Sequence, residues 1–204
     1  MNVNRRRSVE RHVNEDALST SAPLVDLVMR DQAPLLARRF YGDGPPSPIT
    51  ASLAQVPELL EVALPFIGAA LGPGALDVRA KELAILRTSA LLECRYCVQT
   101  HTVVALDCGL SAEEVRALRG ELELDAAFTD GRERTMLAWS DAVALGRGPV
   151  DPGLQSRAAE ALADHELVEL TLVVTATLML NRYCTALDLP ASAVTLARLA
   201  EEGF

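Results

Sequence analysis

A shift of 87 residues along the chain superposes Glu82 on Glu169, Leu83 on Leu170, Thr88 on Thr175 and Leu91 on Leu178. It also superposes Arg95, Tyr96 and Cys97 on Arg182, Tyr183 and Cys184, so seven of the 20 positions from 82 to 101 are identical in the two segments. A repeat of this kind is a supersecondary unit that buries its apolar face against a neighbour. Neither copy shows the period-two alternation of a half-buried strand. Two copies are too few for a solenoid. The expectation is two related helical pairs, about 78–118 and 165–201, packed into one all-α domain spanning 21–204.

The punctuation around the repeat agrees with helices. "YGDGPPSP" (41–48) predicts a loop. Pro57 opens a helix to about Ala70, with a kink expected at Pro65. "GPGALD" (72–77) predicts a turn in which Asp77 caps a helix over 78–92. The next helix starts near Cys94 and stops before Gly109, and Ser111 with Glu114 has the spacing of a capping box. Further helices fit about 130–145, 152–163, 165–187 and 191–201. The apolar uncharged run "LTLVVTATLMLN" (170–181) is shorter than the roughly 20 residues needed to span a bilayer and reads as a buried core helix.

Composition narrows the function. The 204 residues suffice for a full core, and a chain half apolar but only 4% aromatic favours close-packed helices over a β-sandwich. A net charge of −9 argues against a nucleic-acid partner, which would need a positive surface. The dense basic cluster "NRRRSVER" lies in a polar tail, residues 1–20, and no apolar segment follows it, so no secretory signal is expected. Four cysteines without such a signal point to a reducing cytoplasm. There a close pair is more often catalytic or metal-binding than a static crosslink.

The reactive residues concentrate in "CRYCVQTH" (94–101). The second copy, "NRYCTALD" (181–188), has Asn181 in place of Cys94 and Asp188 in place of His101. On a helix, Cys94, Cys97 and His101 fall within about 60° of one another. A thiol titrates near 8.5 and only the thiolate attacks, so a neighbouring base is useful. Glu82 would lie ~18 Å from Cys94 on a continuous helix, but a break near 92–94 folds it back toward His101. In that hairpin Glu82 orients His101, His101 takes the proton of Cys97, and Cys94 closes a disulfide with Cys97. A metal set of Cys94, Cys97, His101 and Cys108 is the alternative use of these residues, and it requires a sharp break before Cys108.

Glu82, Cys94, Cys97 and His101 have the E-x11-C-x2-C-x3-H spacing, which resembles the alkylhydroperoxidase D-like proteins of the carboxymuconolactone decarboxylase superfamily. "RAKELAILRTSALLECRYCVQTHTVVALDCGLSAEEV" is similar to that family's core, and "DHELVELTLVVTATLMLNRYCTALDLP" to the C-terminal half of its two-repeat members. The resemblance spans about 22–200. It implies an all-helical, cofactor-free and metal-free homo-oligomer, a trimer or hexamer. It also implies a CxxC thiol peroxidase or disulfide reductase that takes a hydroperoxide and is recharged by a dihydrolipoyl- or thioredoxin-type dithiol. By the same resemblance Cys97 attacks, Cys94 resolves, and His101 with Glu82 moves the proton. Tyr96 stands where some members have a further histidine, and its copy Tyr183 marks it as structural in part.

Other readings remain open from sequence. A decarboxylase or lactone-ring enzyme of the same superfamily would not need the CxxC pair. A non-catalytic oligomer could use the motif to sense oxidation or bind zinc. Cys108 and Cys184 are expected to be small apolar fillers, Glu169 a buried carboxylate bonded to a neighbouring helix, and Trp139 a core or interface residue.

Overall fold

Six helices start where a side chain in the sequence can replace a missing backbone partner. Ser47, Asp77, Ser111, Asp130, Asp151 and Ser192 each accept a hydrogen bond from the backbone N–H three residues on. Each such cap contributes about 1 kcal/mol to its helix. At Ser111 the Glu114 carboxylate returns the bond to the Ser111 N–H, completing the expected capping box.

The computed structural model describes residues 22–204, and the arginine-rich segment lies outside the described residues. Among these residues the regular structure is helical throughout. The helices are α1 (Pro48–Leu53), α2 (Pro57–Leu71), α3 (Val78–Leu91), α4 (Arg95–Asp107) and α5 (Ala112–Leu118). They continue as α6 (Leu124–Ala127), α7 (Gly131–Leu145), α8 (Pro152–Ala161), α9 (Asp164–Ala186) and α10 (Ala193–Glu202). Two expectations need correction. The loop over 41–48 gives way to α1 at Pro48, because proline suits a first helical position where its missing N–H costs nothing. The four-residue α6 was not foreseen, since one turn carries no periodicity to read.

The core forms on both sides of α3. Leu83 and Leu86 pack with Ala105 of α4, Val115 and Leu118 of α5, Phe128 and Leu137. Ala84 and Ile85 pack instead with Met136 of α7 and with Leu170, Val173 and Val174 of α9. Burying a side chain of this size stabilises the fold by about 1.5–3 kcal/mol, so α3 is the element around which the rest assembles. Trp139 belongs to the second cluster and donates its indole N–H to Thr171 Oγ1 at 3.0 Å.

Helix α9 runs for 23 residues, well past the uncharged stretch. By length and composition it could cross a membrane. Its buried stripe, from Leu170 through Val174 and Thr177 to Cys184, lies against α3, α7, α2 and α4 as a core helix. The segments 82–101 and 169–188, similar in sequence, differ in local form: the first is a helical hairpin, and the second lies almost wholly in α9.

Helices α3 and α9 are tied by a buried ion pair. Lys81 Nζ lies 2.6 Å from Glu169 Oε1, with only 2% of the Lys81 side chain exposed. The ammonium also donates to the carbonyls of Ala70 and Gly72. Glu169 Oε2 accepts the Leu76 N–H at 2.8 Å, so Glu169 is bonded to neighbouring elements as expected, but its side chain is half-buried, 17% exposed, and not the buried carboxylate anticipated. Burial pushes its carboxyl up, but the Lys81 and backbone bonds prevail and hold it below the usual glutamate range. Gly74 makes this approach possible, because a Cβ there would stand 1.7 Å from Glu169 Oε1. Gly74→Ala should therefore lower the unfolding free energy by about 1–3 kcal/mol, measured by urea denaturation. An unchanged midpoint would mean that the pinned carboxylate moves freely.

Candidate active site

The chain breaks between α3 and α4 where the sequence requires it to. Glu93 takes the left-handed conformation with φ 54°, and the Cys94 N–H closes back on Ser89 O at 3.1 Å. A residue with a Cβ gives up roughly 1–2 kcal/mol in that conformation. In return α4 folds back along α3. Cys94 becomes the N-cap of α4, with Cys97 in its first turn and His101 one turn further on.

The hairpin brings Glu82 to His101. Glu82 Oε2 lies 2.9 Å from His101 Nδ1, and the Glu82 side chain is 7% exposed. With the carboxylate ionised, Nδ1–H donates to it and Nε2 is left as the proton acceptor. Cys94 and Cys97 are free thiols whose Sγ atoms lie 2.8 Å apart and share a hydrogen bond. Cys97 and His101 line the same cavity, of about 80 Å³. Its other walls are mainly apolar, from Ile49, Ile67, Leu71, Ile85 and Leu180. Cys94 is completely enclosed, with 0% of its surface exposed.

Three residues join the site that sequence reasoning had not placed there. Cys184 fills core space as expected, but it does so against Cys94 and Cys97, in one buried cluster with both thiols. Thr177 and Asn181 line the cavity, and Thr177 Oγ1 and Asn181 Oδ1 are buried polar atoms with no hydrogen-bond partner among the described residues. Both are available to a polar group entering the cavity. The signal was present on α9, where Thr177 and Asn181 interrupt the apolar stripe of Leu170, Val173 and Val174 at helical spacing. Tyr96, 9% exposed, stands between this cavity and a second cleft, which supports its structural reading.

The metal alternative is not assembled. Helix α4 is unbroken to Asp107, which carries Cys108 about 20 Å along the axis from Cys94. Cys108 packs instead against the α3–α5 core. Among the described residues no group of three or more His, Cys, Asp or Glu is arranged to hold a metal ion.

Hydrogen bonding and burial shift the three thiols in different directions. Hydrogen bonds from Cys184 and then Cys97 hold the Cys94 thiol far below its ordinary range, to about 3. Its position at the N-terminus of α4 acts in the same direction. Bonding to Cys184 and Cys94, together with burial, pushes Cys97 up, and bonding to Cys94 raises Cys184 to about 12. Charge and access thus favour different sulfurs: Cys94 carries the anion while Cys97 faces the cavity. One proton crossing the 2.8 Å contact moves the charge to Cys97, whereas no comparably small shift exposes Cys94.

Residues 57–146, which include this hairpin, match the carboxymuconolactone decarboxylase family. This part of the chain is similar to that family. The family match spans α2 to α7 and holds Glu82, both motif cysteines and His101. The uncharacterized protein YnjA of Escherichia coli (strain K12) is 26% identical over 179 residues, 87% of this chain and 94% of that protein. The fold of this chain recurs in a crystal structure of an alkylhydroperoxidase AhpD core, an uncharacterized peroxidase-related protein from Ralstonia eutropha JMP134. That structure gives a TM-score of 0.70 at 17% identity, covering 84% of this chain and 96% of that one. The debrominase Bmp8 gives a TM-score of 0.69 at 19% identity, covering 86% and 95%. The chain thus has the all-helical AhpD-like fold.

Proposed function

We propose that the protein is a dithiol-dependent hydroperoxide reductase. The observation that carries this reading is one small apolar cavity lined by both Cys97 of a CxxC pair and a histidine fixed by a buried carboxylate. An organic hydroperoxide fits those walls: its alkyl part against the isoleucines and leucines, its O–H toward Asn181 Oδ1 or Thr177 Oγ1. Cys97 thiolate attacks the terminal peroxide oxygen, the O–O bond breaks, and the alcohol leaves with a proton supplied through His101. Cys97 is then a sulfenic acid. Cys94 attacks it, water leaves, and a Cys94–Cys97 disulfide remains. A dihydrolipoyl- or thioredoxin-type dithiol returns the pair to thiols by exchange and becomes a disulfide itself.

A reducing cytoplasm suits a cycle that starts from free thiols. A homo-oligomer is supported by the outward faces of two adjacent helices. Helix α2 exposes Leu59, Val62 and Phe66, and α9 exposes Val168, Leu172 and Met179, at helical spacings that a second copy would cover.

The test uses reduced protein and a substoichiometric organic hydroperoxide, followed by disulfide mapping by mass spectrometry. Each equivalent of peroxide should give about one equivalent of Cys94–Cys97 bond within the mixing time, and dihydrolipoamide should reopen it through many cycles. If the pair oxidises only as slowly as a simple free thiol, the peroxidase reading falls.

A further inference from the structure

The thiol cluster lies between two openings. Cys97 lines the apolar cavity beside His101, and Cys184 lines a separate cleft of about 70 Å³ on the other side of Tyr96. This second cleft has a different character. Its walls are Glu93, Arg95, Tyr96, Thr185, Asp188 and Leu189, and at its rim Arg95 Nη2 lies 2.8 Å from Asp188 Oδ1, both side chains well exposed. Cys94, which lines neither opening, packs with Cys97 and Cys184 in the same buried cluster. A reductant arriving from solvent has no direct path to Cys94, the sulfur on which the resting disulfide depends.

We propose that Cys184 is a third redox thiol that relays electrons from a small polar dithiol in the Arg95–Asp188 cleft to the Cys94–Cys97 disulfide. This assigns a second binding site, and it rests on the hydroperoxide-reductase reading of the first. In the relay, Cys184 attacks Cys94, the Cys94–Cys97 bond breaks, and a Cys94–Cys184 bond forms. The proton of Cys184 passes to Cys97, which is regenerated as a thiol facing the substrate cavity. The dithiol then attacks Cys184 from the cleft, the Cys94–Cys184 bond breaks, and Cys94 is released as a thiol. The second thiol of the reductant resolves the mixed disulfide, leaving Cys184 reduced and the reductant as a cyclic disulfide. Two electrons and two protons enter, and none are left over. The charged rim suits a polar reductant, as the apolar cavity suits a hydroperoxide, so the two substrates need not exchange places in one opening.

The experiment starts from diamide, a thiol oxidant that needs no peroxidase activity, so failure of the hydroperoxide reaction would leave it readable. Cys97→Ser protein is treated with one equivalent of diamide, its remaining thiols are alkylated in acid, and its disulfides are mapped. A Cys94–Cys184 bond in the majority of chains is expected; recovery of both cysteines alkylated overturns the relay. In parallel, the diamide-oxidised full chain and its Cys184→Ser and Cys184→Ala variants are mixed with dihydrolipoamide. Re-reduction of the Cys94–Cys97 bond should slow about tenfold or more in both variants, and an unchanged rate overturns the proposal. Far-UV circular dichroism of both variants separates a lost relay from a lost fold, and the Cys97→Ser mapping decides the case if either variant is misfolded.

Discussion

Cys97→Ser protein should consume organic hydroperoxide at least ~10³-fold more slowly in kcat/KM than the unaltered chain, with no residual burst. The expectation is this large because the remaining thiols cannot substitute. Serine does not ionise near neutral pH and would not attack the O–O bond. Cys94 holds the cluster's charge but is completely enclosed, and Cys184 opens onto the other cleft. A coupled assay following dihydrolipoamide oxidation, with stopped-flow detection of the first turnover, measures both parts of the claim. Substantial turnover by the variant would put the attacking sulfur elsewhere.

The second large effect concerns the fold. Glu169→Leu removes the carboxylate that neutralises the Lys81 ammonium, whose side chain is 2% exposed and cannot regain water without disturbing α3. Breaking a buried pair from one side costs about 3–5 kcal/mol, which for a chain of this size lowers the melting temperature by roughly 10 °C. The Lys81→Met, Glu169→Leu double variant should recover most of that loss, because it buries no unpaired charge. Thermal and urea unfolding of the wild type, both single variants and the double variant form a cycle that isolates the pair. If Glu169→Leu unfolds with the wild type, Lys81 is satisfied by the Ala70 and Gly72 carbonyls alone.

The sequence disclosed local features well and long-range ones unevenly. Helix starts at Asp77 and Ser111 were legible because a cap acts over three residues. The break at 92–94 was legible through chemistry: without it, Glu82 and His101 could not meet. The short α1 and α6 were not, since a helix of one or two turns takes its stability from neighbours more than from its own pattern. Pro65 was read as a kink site, and α2 runs through it from Pro57 to Leu71. Cys184 was read as a filler because a cysteine 87 residues from its partner gives no sign of contact until α9 is laid against α4. Asn181 stands in the repeat where the first copy has Cys94, and its position on the cavity wall follows only from the packing of α9.

One consequence of α9 bears on how this chain can vary. The helix holds Glu169 near one end, against Lys81, then Thr177 and Asn181 on the cavity wall, and Cys184 near the other end against the thiol pair. Each residue added or removed within that span turns everything beyond it by about 100° and moves it about 1.5 Å. A single insertion would therefore swing Cys184 out of the cluster if the ion pair stayed in place, or break the ion pair if the cluster did. Residues on the outward side of α9 can be exchanged one for another with little effect on the site, but the number of residues between Glu169 and Cys184 cannot drift.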